Sequence, residues 1–342
     1  MKALFFRKHG EPDQLQYGDV EDPSAGPGDV VIKVRACAIN HLDVWVLRGW
    51  PGLKLEIPHW GAADVAGEIV ELGASVTGWE VGSRVVVDPG ITTVQDEFTR
   101  RGEISVSPGY QVLGEQRRGG AAEYIAVPVE NLAPMPESLD FPTAAAPLLV
   151  TLAAWRMLIH RAKLRIGEKV LVVGAGGGVN SMAIQIAKLA GATVYVVAGN
   201  AEKGAMAREL GADVIFDRSK VDWGREVTAL TKKRGVDVVV DNVGKATINT
   251  SMKVVRRGGR IVIIGNTSGP HADIDIRYIF GKQISLIGST MGSHQDFQEI
   301  TKLLWSGKLK PVIDRVMDLS KGREAYELLV QGEHFGKIVL TP

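Results

Sequence analysis

The sequence predicts an α/β protein of about two domains, a β-rich N-terminal part followed by a doubly wound parallel sheet. Three observations carry this. The chain has 342 residues, more than a single hydrophobic core usually organises. Up to about residue 150, short β-type runs are separated by glycine and proline, the pattern of a barrel or sandwich. Beyond it, apolar strands alternate with amphipathic helical stretches, and the strands lack period-two alternation, as expected when both sheet faces are covered. The reading is a domain over 1–150, a second over 151–290, and a return segment over 291–342 that packs on the first.

Composition narrows the function. Hydrophobic residues make up 45% and charged residues 23%, which excludes a disordered chain. With 40 basic against 39 acidic side chains, the net charge of +1 gives no overall footprint for nucleic acid or an anionic membrane. The longest apolar stretch, Ala144 to Trp155, carries Pro147 and Thr151 and reads as too short to span a bilayer. The first residues lack a long apolar run, so the expectation is a cytoplasmic protein without a membrane partner. Cys37, the one cysteine, excludes an internal disulfide and any site needing two thiolates.

In order along the chain, strands are expected at Val30–Val34, Glu68–Leu72, Arg84–Val87 and Glu123–Val127. The second domain opens with a strand at Val170–Val173, a glycine cluster, and a helix from Ser181 to Ala190 ended by Gly191. Strands at Thr193–Val197, Val214–Phe216, Val236–Val240, Arg260–Ile264 and Ile284–Ile287 follow, separated by helices that include Ala201–Leu210 and a stretch near Val227–Lys232. A helix over Asp296–Trp305 and a strand over Lys337–Leu340 complete the chain.

The strongest motif is Val173-Gly174-Ala175-Gly176-Gly177-Gly178-Val179-Asn180-Ser181, between a buried strand and a helix. Glycines let the backbone turn and approach a pyrophosphate, while the helix N-terminus supplies N–H groups and a favourable dipole. The spacing departs from GxGxxG, with Val179 or Asn180 at the third glycine depending on where counting starts. At the tip of the next strand stand Ala198-Gly199-Asn200-Ala201-Glu202-Lys203, with no carboxylate at the usual NAD position. Gly199 leaves room, and Asn200 with Lys203 suits a 2′-phosphate, so NADP(H) is favoured over NAD(H); Glu202 is the acidic alternative.

The chain resembles the medium-chain dehydrogenase/reductase superfamily, on the border between zinc alcohol dehydrogenases and quinone oxidoreductases. The resemblance rests on Ala38-Ile39-Asn40-His41-Leu42-Asp43, Asp64-Val65-Ala66-Gly67, Gly119-Gly120-Ala121-Ala122-Glu123-Tyr124, the glycine loop, Gly288-Ser289-Thr290-Met291 and His334-Phe335-Gly336-Lys337. It implies a GroES-like catalytic domain, a Rossmann domain, an active site in the cleft between them, and a homodimer or homotetramer. It also implies that Thr151, Val243, Gly265, Asn266, Ser289, Thr290, Phe335 and Lys337 line the nicotinamide.

The departures are informative. The positions matching the catalytic-zinc ligands read Asn40, Ala63 and Leu149, and those of a structural-zinc lobe read Thr93, Asp96, Thr99 and Ser107. The proton-relay position reads Leu42. Neither set resembles a thiolate and imidazole site, so the expectation is a protein without zinc. A replacement site from His41, Asp43, His59 and Asp64 is the remaining metal alternative. Without a metal, hydride delivery to a quinone, enone or other activated carbonyl is easier to support than alcohol oxidation. Asn40 is the expected hydrogen-bond donor to the substrate oxygen, Asp64 an acidic neighbour, and His41 a contact to the cofactor pyrophosphate. Trp45, Trp50 and Trp60 are candidates for an apolar substrate pocket. Alcohol or ketone chemistry, and a non-catalytic NADPH-binding protein, are the alternatives.

Overall fold

The computed structural model describes residues 1–342. It divides into two compact units, Met1–Leu149 with Gly292–Pro342, and Val150–Met291.

The first unit is built on a seven-stranded sheet whose central strand, Asp29–Ile39, pairs antiparallel with Asp64–Leu72, Tyr124–Pro128 and Lys337–Thr341. That strand is longer than the five residues expected from the pattern. Its second half, Ala36-Cys37-Ala38-Ile39, is buried on both faces, so the alternation that marks a half-exposed strand is lost. Two register shifts, between Val31/Ile32 and Val34/Ala36, break the pattern further.

Register then does the chemical work. Ala38 lies opposite Asp64, and Ile39 lies opposite Ile338. Asn40 leaves the end of the central strand, Asp64 begins one neighbour and Lys337 begins the other. Three residues far apart in sequence therefore meet at one end of the sheet.

The second unit is a six-stranded, all-parallel sheet in the order Val214–Asp217, Thr193–Ala198, Lys169–Val173, Val236–Asp241, Val255–Ile263, Ser285–Gly288. The strand order reverses between Lys169–Val173 and Val236–Asp241, the switch point at which such sheets open a crevice beyond their C-terminal ends. Every residue of Val236–Asp241 is buried, which explains why Val238-Val239-Val240 are apolar without period-two alternation. The helix expected from Val227 to Lys232 lies at Trp223–Leu230, because the Asp222 carboxylate caps the backbone N–H groups of Gly224 and Arg225.

One expectation is corrected. The helical stretch Phe141–Arg161 has 21 residues and is apolar enough to cross a membrane by length and composition. However, 78% of its most apolar window is buried inside the protein, as in a core helix.

Candidate active site

In the first unit, Asn40, Asp64 and Lys337 form one buried cluster. The Lys337 ammonium donates to Asp64 Oδ2 at 2.8 Å and also to Asn40 Oδ1. The Asn40 amide donates to the same Asp64 oxygen at 2.9 Å, and Leu149 N–H donates to Asp64 Oδ1 at 2.6 Å. Asp64 is fully buried, and the Lys337 side chain is 4% exposed. Removing both charges from water costs several kcal/mol each, which their attraction and these added hydrogen bonds offset. An ammonium has three donors and two are used here, leaving one N–H of Lys337 without a partner.

This arrangement bears on two sequence assignments. Asn40 was expected to present a free donor, but its amide faces Asp64 and its oxygen accepts from Lys337. Lys337, expected to line the nicotinamide, has its ammonium held by Asp64 and Asn40. Phe335 is buried, and its N–H donates to Asp314 at 2.9 Å.

The donor set fits zinc poorly. Asn40 offers a carboxamide oxygen already bonded to an ammonium, and Ala63 and Leu149 carry no donor side chain. Nor do the other candidates gather around an ion. The Asp43 carboxylate caps the N–H groups of Asn40 at 2.6 Å and Ala62 at 2.7 Å. Burial raises its pKa to about 6 against the pull of those hydrogen bonds. The His59 ring contacts the Gly114 carbonyl at 3.2 Å, and burial pushes its pKa down to about 4. His41 opens the helix His41–Arg48, its ring edge-on to Trp45, with its pKa lowered by burial and then by Arg48. Cys37 is fully buried and its thiol pKa is raised, chiefly by burial.

The lobe is held without thiolates. Asp96 accepts from the N–H groups of Phe98 and Thr99, each at 2.8 Å, and from Ser107 Oγ at 2.7 Å. Three of the four positions that matched structural-zinc ligands thus form a hydrogen-bonded knot. Among the tryptophans, Trp60 is buried with its indole N–H on Gly119 O, whereas Trp50 is 41% exposed.

In the second unit, the glycine loop runs from the end of Lys169–Val173 into the helix Gly178–Leu189. Gly174 has φ +100°, a left-handed conformation that favours glycine. Gly177 is the helix N-cap, and a Cβ there would meet no heavy atom within 4 Å, so Gly176, Gly177, Gly178 and Val179 frame an open approach to the helix N-terminus. Asn180 replaces the third glycine by closing the loop: its amide donates to Val173 O and Gly174 O, both at 3.1 Å.

Asn242 was not anticipated. Its amide donates to Asn180 Oδ1 at 2.8 Å and its oxygen accepts from Ile264 N–H at 3.1 Å, tying two strand ends to the first turn of the helix Gly178–Leu189. Val243 and Gly244 follow, their N–H groups held by the buried Asp241 carboxylate, and Gly265 and Asn266 extend the adjacent strand end. The signal was present as Asp241-Asn242-Val243-Gly244 after an apolar strand, where a polar strand end meets a crevice. Thr151 Oγ1 and Ser289 Oγ are buried without hydrogen-bond partners, whereas Thr290 is exposed. Orphaned hydroxyls and an open glycine cradle are the features a bound dinucleotide would complete.

At the neighbouring strand tip, Asn200 Oδ1 accepts from Lys203 N–H at 2.9 Å, so Asn200 serves as a helix N-cap. A second cation stands there. A Cβ on Gly199 would lie 3.8 and 3.9 Å from Arg218 Nε and Nη2, which places the exposed Arg218 guanidinium beside this tip.

Comparison with known proteins agrees with both halves of this geometry. Residues 26–137 match the alcohol dehydrogenase GroES-like domain, and residues 178–306 match the zinc-binding dehydrogenase model. The second match includes none of Asn40, Ala63 and Leu149. An NAD-dependent alcohol dehydrogenase of Sulfolobus acidocaldarius is 34% identical, covering 99% of both chains. An acryloyl-coenzyme A reductase of Metallosphaera sedula is 32% identical over the whole of both chains. The crystal structure of an NAD-dependent alcohol dehydrogenase superposes with a TM-score of 0.96 and 41% identity, covering 100% of both. With its GroES-like and Rossmann units, the chain belongs to the medium-chain dehydrogenase/reductase family and is an oxidoreductase.

Proposed function

We propose that the protein is a zinc-independent oxidoreductase moving hydride between NADP(H) and a quinone, an enone or another activated carbonyl compound. The observation that carries this is the buried Lys337 ammonium on Asp64 and Asn40, at positions where zinc relatives place a ligand and its neighbour. A bound nicotinamide supplies the hydride. The chain supplies the electrostatics: the unused N–H of Lys337 donates to the substrate oxygen, and Asp64 and Asn40 fix its direction. Such a donor stabilises negative charge developing on a carbonyl or quinone oxygen. It lacks the charge density by which a metal makes an alcohol acidic, so reduction of an activated acceptor is favoured. The relative named for acryloyl-coenzyme A acts, by that name, on an activated alkene.

In the second unit, the glycine loop holds the pyrophosphate, with Thr151 and Ser289 completing their hydrogen bonds on the bound cofactor. Arg218, supported by Lys203, takes the 2′-phosphate, which favours NADP(H). His41 is retained as a phosphate contact. Arg218→Ala is expected to weaken NADPH binding about 10-fold, the loss of one charge-assisted contact, while NADH binding changes less than about twofold. Fluorescence titration with both cofactors checks this; equal changes for the two would remove Arg218 from the 2′-phosphate.

The relatives named as alcohol dehydrogenases support a second reading, alcohol or ketone interconversion by the same cluster. Turnover of an alcohol panel beside an enone panel separates the two.

A further inference from the structure

We propose that the second unit carries a binding site for a small polyphosphate at the end of its sheet opposite the dinucleotide cradle. There a cleft of about 1000 Å³, large enough for a nucleotide-sized ligand, is lined by seven lysine and arginine residues and one acidic residue, Asp275. The cleft borders the N-terminal ends of Val236–Asp241 and Val255–Ile263, whereas Asn242 and the glycine loop lie at C-terminal strand ends. At roughly 3.3 Å per residue, a strand of that length separates the two by about 20 Å.

The positive charge is only partly neutralised by the protein itself. Arg234 and Arg256 share Asp237, and Arg277 pairs with Asp275. Lys233, Lys253, Arg257 and Lys282 have no carboxylate partner; Arg257 donates to Gly281 O, and Lys282 donates to Met252, Lys253 and Val255 carbonyls. Helix C-termini offer a simpler reason for cations here, since Trp223–Leu230, Ile248–Val254 and Arg277–Lys282 all end beside the cleft. Each such end carries about half a negative charge, so three of them offset less than half of four unpaired cations. Burial, and after it the nearby Arg257, pushes the Lys282 pKa down.

Lys232 and Lys233 have φ of +51° and +64°, a left-handed pair without glycine. The pair closes the helix Trp223–Leu230, with the Lys233 N–H donating to Thr228 O at 2.8 Å, and this turn brings Lys233 to the cleft. Contiguous phosphates match several cations converging on one concavity, and the ring of Tyr278 in the lining offers a surface for a base.

The test is isothermal titration at low salt with inorganic tripolyphosphate and with ATP, each with and without saturating NADPH. Saturable binding of both that NADPH leaves unchanged is expected; tighter ATP binding assigns the base to Tyr278, and equal affinity assigns recognition to phosphate alone. Lys233 and Lys253 are exposed and unpaired, so Lys233→Gln/Lys253→Gln leaves the fold intact. It is expected to weaken tripolyphosphate about 10-fold or more without changing NADPH affinity or turnover. Three results would each overturn the site: no saturable binding, displacement by NADPH, or equal affinity in wild type and double variant. Tighter, variant-sensitive binding of an RNA 12-mer than of ATP would also overturn it, and would mark a nucleic-acid surface instead.

Discussion

Lys337→Met is expected to lower stability by about 3–5 kcal/mol, because it leaves the Asp64 carboxylate buried without its cation. Asp64→Asn is expected to cost a similar amount, stranding the ammonium. The double variant Lys337→Met/Asp64→Leu removes both charges and should recover part of that stability, the remainder being lost because the Leu149 N–H and the Asn40 amide no longer have their partners. Turnover follows a different course. If Lys337 donates to the substrate oxygen, the double variant stays about 10²–10³-fold slower in kcat, the cost of losing one such donor. Urea unfolding and steady-state reduction of an enone, measured on the same preparations, separate the two effects. Recovery of kcat with stability in the double variant would reduce the cluster to a structural ion pair.

Gly177→Asp is expected to raise the NADPH dissociation constant about 10–100-fold without lowering the melting temperature. The position has φ −79°, is exposed, and has nothing within 4 Å of a new Cβ, so the side chain is accommodated. Aspartate is also a favourable N-cap, which supports the helix. Its carboxylate would nonetheless stand where a phosphate must approach. Like charges about 4 Å apart repel by roughly 4 kcal/mol near a protein surface before salt screening, and part of that appears as lost affinity. A fluorescence titration paired with a thermal melt checks both halves. An unchanged dissociation constant would move the pyrophosphate away from this helix.

Much of the second unit could be read from sequence because parallel strands buried on both faces announce themselves as apolar runs, as in Val170-Leu171-Val172-Val173. The glycine loop was legible for the same local reason: its neighbours in space are its neighbours in sequence. The cluster in the first unit was not. Asn40, Asp64 and Lys337 were each singled out, but only the pairings Ala38 with Asp64 and Ile39 with Ile338 show that they share one hydrogen-bond system. Register between distant strands leaves no trace in single-sequence periodicity. Arg218 escaped notice because it reaches the Gly199 tip from the following strand. The helix His41–Arg48 and the strand Ile313–Asp318 were also not anticipated; the first is short, and the second is mixed in polarity.

The most direct test is the rate of NADPH-dependent enone reduction after exhaustive dialysis against a strong chelator, compared with the same protein given zinc back. An unchanged rate on removal, with no gain on re-addition, is the outcome expected if a lysine ammonium polarises the acceptor. A rate that collapses with the metal and returns stoichiometrically with it would contradict that assignment.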